Sequence, residues 1–195
     1  MAHARKTIVD PPLTRKMFSE TGAWTWVWAV VRVYVGYDWL TAGWHKVTSP
    51  AWVSGGSALK GFWEKAVMIP DAPAKPAITY DWFRAFLQAL LSGGHYTWFA
   101  KLIAYGELCV GIALIIGAFV GIAAFFGAFM NFNFMLAGSS STNPVLFLGA
   151  IILILAWKTA GYWGLDRWLL QRLGTPWSVT HASESSPPKA GAATA

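Results

Sequence analysis

Trp24–Lys46 reads WTWVWAVVRVYVGYDWLTAGWHK, and the reading of this run decides the fold class. About 20 residues at a rise of 1.5 Å cross the roughly 30 Å hydrocarbon core of a bilayer, and this run is long and apolar enough to do so. It nevertheless carries Arg32 and Asp38 within its apolar part, with His45 and Lys46 at its far end. Charges at membrane depth are costly and turn toward a bundle interior or a wet cavity. The rest of the chain is therefore expected to supply their partners.

The composition agrees with a membrane setting. Of 195 residues, 55% are hydrophobic and 12% charged, against about 25% charged in an ordinary soluble domain; the mean hydropathy is +0.43. Leu108 to Trp157 is a run of fifty residues without Asp, Glu, Lys, Arg or His, which has room for two crossings and a turn. The thirteen Trp residues lie largely near the ends of such runs, as an aromatic belt at headgroup depth requires.

These features predict an all-α membrane protein, a four-transmembrane-helix bundle. The first span is Trp24 to Trp44, the second Tyr96 to Gly117, and the third runs from Gly121 to Ala137. Asn143 as N-cap and Pro144 at the first helical position open the fourth, a short span reaching Trp157. Residues 51–96 form an outer loop with two short amphipathic helices, Ala58 to Met68 and Thr79 to Leu91, separated by Pro70, Pro73 and Pro76. Residues 1–23 read as a polar cytoplasmic arm in which Pro11-Pro12 opposes a helix and Ser19 or Thr21 caps the first span. Residues 24–173 form the membrane domain, closed by a juxtamembrane helix over Leu165 to Leu173. Residues 174–195 read as a disordered cytoplasmic tail.

The net charge is +6, and its distribution orients the chain. Arg5, Lys6, Arg15 and Lys16 precede the first span, while Lys158, Arg167 and Arg172 follow the last. By the positive-inside rule both termini belong in the cytoplasm, which an even number of spans allows. The basic residues form no stripe with interleaved aromatics, which argues against nucleic-acid binding. The N-terminus lacks the form of a cleavable signal, so the first span is expected to be retained. A single cysteine, Cys109, excludes an internal disulfide. The four histidines have no metal-ligand spacing and no facing pair for haem, and no nucleotide or nucleophile motif is present. No catalytic residue is assigned.

Depth counted along the spans places Arg32 and Glu107 at matched levels with opposite sign, predicting an intramembrane ion pair that organises the bundle. Asp38 lies in the outer half within reach of Lys101. Arg32, Gly36, Trp39, Gly43 and Lys46 share one helix stripe, with Asp38 and His45 on the neighbouring one. Together they predict a ring-lined polar pocket open to the outer side, walled by Asp38, His45, Lys46 and Lys101, with Asn131 or Asn133 opposite. An aromatic head with two carbonyl acceptors, such as a quinone, suits such donors.

The stretch RVYVGYDWLTAGWHK, with Arg32, Gly36, Trp39, Gly43 and Lys46, resembles the first-span signature of DoxX-type membrane proteins. AYGELCVGIALIIG over residues 104–117 is similar to the Glu-containing second helix of that family. FNFMLAG over 132–138 and AWKTAGYWGLDR over 156–167 are also similar, so the likeness covers about residues 24–170. The resemblance implies a four-span protein of the bacterial inner membrane. It further implies kinship with the DoxD-type membrane subunit of thiosulfate:quinone oxidoreductase, which passes electrons to quinone together with a second subunit. The resulting expectation is a quinone-interacting subunit that works with a partner protein, with Asn133 among the pocket residues. Its rival is a non-enzymatic scaffold or assembly partner of a larger redox complex.

Overall fold

A computed structural model describes residues 10–173, and the regular structure of the described residues is all helical, without strands. Ten helices follow in order: α1 Pro12–Phe18, α2 Trp24–Val47, α3 Pro50–Val53, α4 Ser57–Val67, α5 Asp81–Ser92, α6 Tyr96–Ile116, α7 Val120–Leu136, α8 Asn143–Leu155, α9 Trp157–Ala160 and α10 Asp166–Arg172. The long helices α2, α6, α7 and α8 run alternately up and down. Helix α2 packs most extensively on α6 and α7 on α8, with α6–α7 and α2–α8 contacts completing the bundle. Helix α6 is the one described helix long and apolar enough to cross a membrane, while α7 and α8 are apolar but shorter, at 17 and 13 residues.

Glycines set the closest contact in the bundle. In the antiparallel α2–α6 pair, a Cβ on Gly43 would run into the backbone of Leu108, and one on Gly111 into the backbone of Leu40. A Cβ on Gly36 would lie 3.0 Å from the side chains of Leu114 and Ile115. Only hydrogen at these three sites lets the two backbones touch, as in small-residue helix packing. Ala124 and Ala128 of α7 do similar work against Leu146, Ala150 and Leu153 of α8. Trp28, Val35 and Trp39 of α2 with Val110 and Leu114 of α6 complete this first core.

A second core lies at the other end of the bundle. Leu59, Trp63 and Ala66 of α4, Phe83 and Leu87 of α5, and Ala100 of α6 are buried together with Ile78 and Ala137. Arg84 ties the proline-rich link down, donating to the Ile78 carbonyl at 2.5 Å and to Asp81 at 2.6 Å. The two amphipathic helices expected in the loop are thus present as α4 and α5, packed on the long helices.

Three local expectations are corrected. Pro11-Pro12 starts a helix instead of preventing one, because Pro12 occupies the first turn, where the missing N–H has no partner to lose. Met17 and Phe18 of this helix pack against the first core, with the Phe18 ring stacked on Trp28. Helix α2 has neither Ser19 nor Thr21 as cap, since it begins after Ala23. The N-cap of α8 is Thr142, with Asn143 already helical, and α8 stops at Leu155 and resumes as α9. The expected tail over 174–195 and the first nine residues lie outside the described residues.

The glycine seam yields a direct prediction. Gly43→Ala or Gly111→Ala forces backbones apart, and overpacking of this kind costs about 1–3 kcal/mol. Gly61→Ala, at an exposed position in α4 with nothing within 4 Å of the added carbon, should instead stabilise by about 0.5–1 kcal/mol. Thermal unfolding of the purified protein followed by helix circular dichroism checks both signs.

Candidate functional site

The seam places charged residues at both of its ends. Toward the chain termini, Arg32 projects from α2 onto the end of α6, donating through Nη1 to the carbonyls of Leu114 at 2.9 Å and Ile115 at 3.2 Å. Its Nη2 donates to the Trp163 carbonyl at 3.3 Å. These α6 carbonyls belong to the last turn of a helix, where orphan acceptors and the negative dipole end favour a cation. Gly117, with φ of +70°, ends the helix in the left-handed region. A Cβ there would meet the Arg32 guanidinium and the Gly164 backbone.

Asp166 holds the other side of the same turn. Its carboxylate accepts from the backbone N–H of Phe119 at 2.5 Å and Val120 at 2.9 Å, the orphan donors at the start of α7. Phe119 itself sits at φ of +49°, a conformation that disfavours side chains and that the Asp166 contact secures. Backbone bonds from Leu165 N–H to Ile116 and from Asp166 N–H to Gly117 complete the clamp. Burial pushes the Asp166 carboxyl above its ordinary range, against the opposing pull of the Val120 and Phe119 N–H groups and of Arg32.

The expected Arg32–Glu107 pair is therefore corrected. Arg32 caps the end of α6, and Glu107 lies seven to eight residues back along that helix, roughly 11 Å away along the axis. Counting from the inner ends of the two spans misaligns the residues because α2 overhangs α6 to pack on α1 and α9. Glu107, 1% exposed, pairs instead with Lys46 at 2.5 Å. The Asp38–Lys101 pairing also fails: Leu40 faces Gly111, and Lys101 is ten residues from there, roughly 15 Å along α6. Lys101 is exposed and Asp38 half-buried.

The Lys46–Glu107 pair forms part of the wall of a cavity of about 540 Å³. Asp38, His45 and Lys46 line it, Lys101 does not, and Asn131 is the residue opposite. Asn133 is not in this wall; its Nδ2 donates to the Phe129 carbonyl at 2.8 Å, and it faces a separate apolar cavity. Lys46 Nζ lies 5.1 Å from the ring centre of Trp52 and 5.9 Å from that of Phe134, close enough for both rings to attract the ammonium. The turn Ser139–Asn143 contributes hydroxyl and amide groups at the rim.

Two wall residues have unmet hydrogen-bonding capacity. Trp39 Nε1 and both amide atoms of Asn131 are buried without a protein partner. Each unmet group of this kind costs about 1–3 kcal/mol. The Lys46–Glu107 pair thus sets a donor and an acceptor in the cavity wall, with Trp39 and Asn131 beside it and the indole Nε1 packed near Gly127 of α7.

Several participants were hidden from sequence reading. Trp39 was visible as a ring but not as an unpaired donor, and Trp52 falls in the stretch expected as an outer loop. Asp166 had one signal: a lone carboxylate beside a Gly-Tyr-Trp-Gly break, at the same end of the bundle as Arg32. Among the described residues no group of three or more His, Cys, Asp and Glu could hold a metal ion.

Lys46→Met should destabilise by about 3–5 kcal/mol, the usual cost of leaving a buried partner unpaired. Lys46→Met with Glu107→Leu should cost clearly less than the sum of the single changes, as a double-mutant cycle in thermal unfolding would show. At the opposite end, a carboxyl raised by burial loses stability as it ionises. The protein's stability should therefore fall, relative to Asp166→Asn, as the pH rises from the ordinary 3.8 of the carboxyl through its folded range. Compared with protein-family models, curated proteins and solved structures, the chain matches none, so the case for this site rests on its geometry.

Proposed function

We propose that this is a four-span membrane protein of DoxX type, with both termini cytoplasmic, that binds a quinone ring in the Lys46–Glu107 cavity. It acts as the quinone-handling subunit of a membrane redox system, and a partner protein delivers the electrons. The observation that carries the ligand reading is the unpartnered Trp39 indole and Asn131 amide beside a buried ion pair.

The bilayer reading draws support from the flanks of the bundle. Only 33% of the apolar window of α6 is buried, which is unlike the core helix of a soluble protein. Val30, Tyr34, Ile122, Phe125, Leu148 and Leu155 are all exposed on the long helices, far more apolar flank than a soluble monomer tolerates. The shorter α7 and α8 are accommodated by local thinning of the bilayer and by α9 extending the fourth span.

Quinone chemistry suits the wall. The two ring carbonyls are acceptors only, matching the donors on Trp39, Asn131 and Lys46, and Trp52, Phe62 and Phe134 flank the space with aromatic faces. Reduction to the quinol takes two electrons, from the partner, and two protons. A quinone held there would take its protons from solvent, with Lys46 able to pass one toward a carbonyl oxygen and Glu107 able to accept a hydrogen bond from a quinol hydroxyl.

In lipid nanodiscs, a short-tailed quinone should quench tryptophan fluorescence saturably. Asn131→Leu and Lys46→Met should each weaken binding by about tenfold or more, the loss of one well-formed hydrogen bond to a charged or buried group. Absence of saturable quenching in protein that retains its helical content would overturn the proposal and favour the scaffold role.

A further inference from the structure

The polar cavity shares a wall with a second cavity nearer the bundle's flank. Phe62 of α4 and Phe134 of α7 stand edge to face, with ring centres 6.3 Å apart at 71°, and both also line a second cavity of about 140 Å³. That space is walled by apolar side chains, among them Trp63, Leu87, Leu90, Phe99, Ile103 and Met130. Its one polar lining residue, Asn133, already spends its amide N–H on Phe129. Beyond it, Phe83, Phe86, Phe129 and Asn133 are shared with a surface groove of about 300 Å³ between α5 and α7. This groove ends at the exposed rings of Trp82 and Phe132, 63% and 46% accessible.

Resting on the quinone reading, we infer that this apolar passage holds the hydrocarbon tail of the same ligand, which enters sideways between α5 and α7. The ligand class is thereby narrowed to an amphiphile: a ring with carbonyl acceptors on a prenyl or alkyl chain. Adjacency is the reason: the Phe62–Phe134 pair alone stands between a space lined by hydrogen-bonding groups and one lined by hydrocarbon, and a turn of either ring joins them. A peptide segment laid in the passage would leave its backbone donors and acceptors unpaired. A hydrocarbon chain has none to satisfy, and every methylene buried there adds affinity. The passage opens on the flank that the bilayer reading places in lipid, so a tailed ligand reaches the ion pair without crossing water.

Two quinones with the same ring, one tailless and one with a decyl chain, separate the possibilities when titrated into nanodiscs by tryptophan quenching. Affinities are expressed per mole of lipid, so that partitioning cancels between protein variants. The decyl compound should bind at least about tenfold tighter than the tailless ring, and Phe86→Arg, at the half-exposed mouth, should bring that ratio close to one. Phe86→Leu should preserve the ratio. A decyl quinone carrying a photoreactive group at its chain end should label residues of 83–90 and 129–133 in the unaltered protein, a readout independent of any variant. A ratio near one in the unaltered protein, or labelling confined to the lipid-facing sides of α6 and α8, overturns the tail passage while leaving ring binding intact. Failure of both quinones to bind overturns the ring site and the passage together.

Discussion

The contact of α2 with α6 through Gly36, Gly43 and Gly111 is the constraint on which the rest depends. Because a Cβ at Gly43 or Gly111 would strike the facing backbone, the seam has one register and no room to slide. That register carries Lys46 to Glu107 at one end and Arg32 to the last carbonyls of α6 at the other. Neither contact follows from attraction between opposite charges alone. The packing chooses the partners, and the charges then make any other register costly.

The two ends use charge differently. At the terminal end the polar groups are structural. Arg32 satisfies helix-end acceptors and Asp166 satisfies helix-start donors, so the turn from Gly117 to Val120 is clamped from both sides. At the other end, the ion pair is surrounded by groups without protein partners, Trp39 Nε1 and the Asn131 amide, over an open cavity. Native interiors rarely leave buried polar groups unpaired, and where they do the place often has another occupant. Arg32 Nε is also without a partner at the terminal end, so what sets the Lys46–Glu107 end apart is the open cavity beside it.

The long helices and α4 and α5 were legible in the sequence because their signals are local: apolar length, Gly117 and the proline-rich link each act within a few residues, whereas α1 and α3 had no such signal. The charged residues worth attention were legible too, since Arg32, Asp38, Lys46 and Glu107 stand out in apolar surroundings. Their pairing was not. It depends on how far α2 overhangs α6, which the glycine seam fixes, with Met17, Phe18 and Trp163 packed around the overhanging first turns of α2. Asn131 and Asn133 were equivalent as letters two apart; only the rotation of α7 turns Asn131 toward the ion pair and Asn133 toward hydrocarbon. Pairing across antiparallel helices is a tertiary property, and a glycine stripe indicates that helices approach closely without stating their register.

The central claim is that the register of the α2–α6 seam builds a cavity shaped for a tailed carbonyl-bearing ring. Native mass spectrometry of the full-length protein, released from bacterial membranes in lipid particles, tests this without added ligand. The expected result is a bound species with the mass of a prenylated quinone at one per chain, lost in Asn131→Leu while the protein's fold is retained. Protein that arrives with its seam and fold intact, carrying only phospholipid and never a quinone mass, would contradict it.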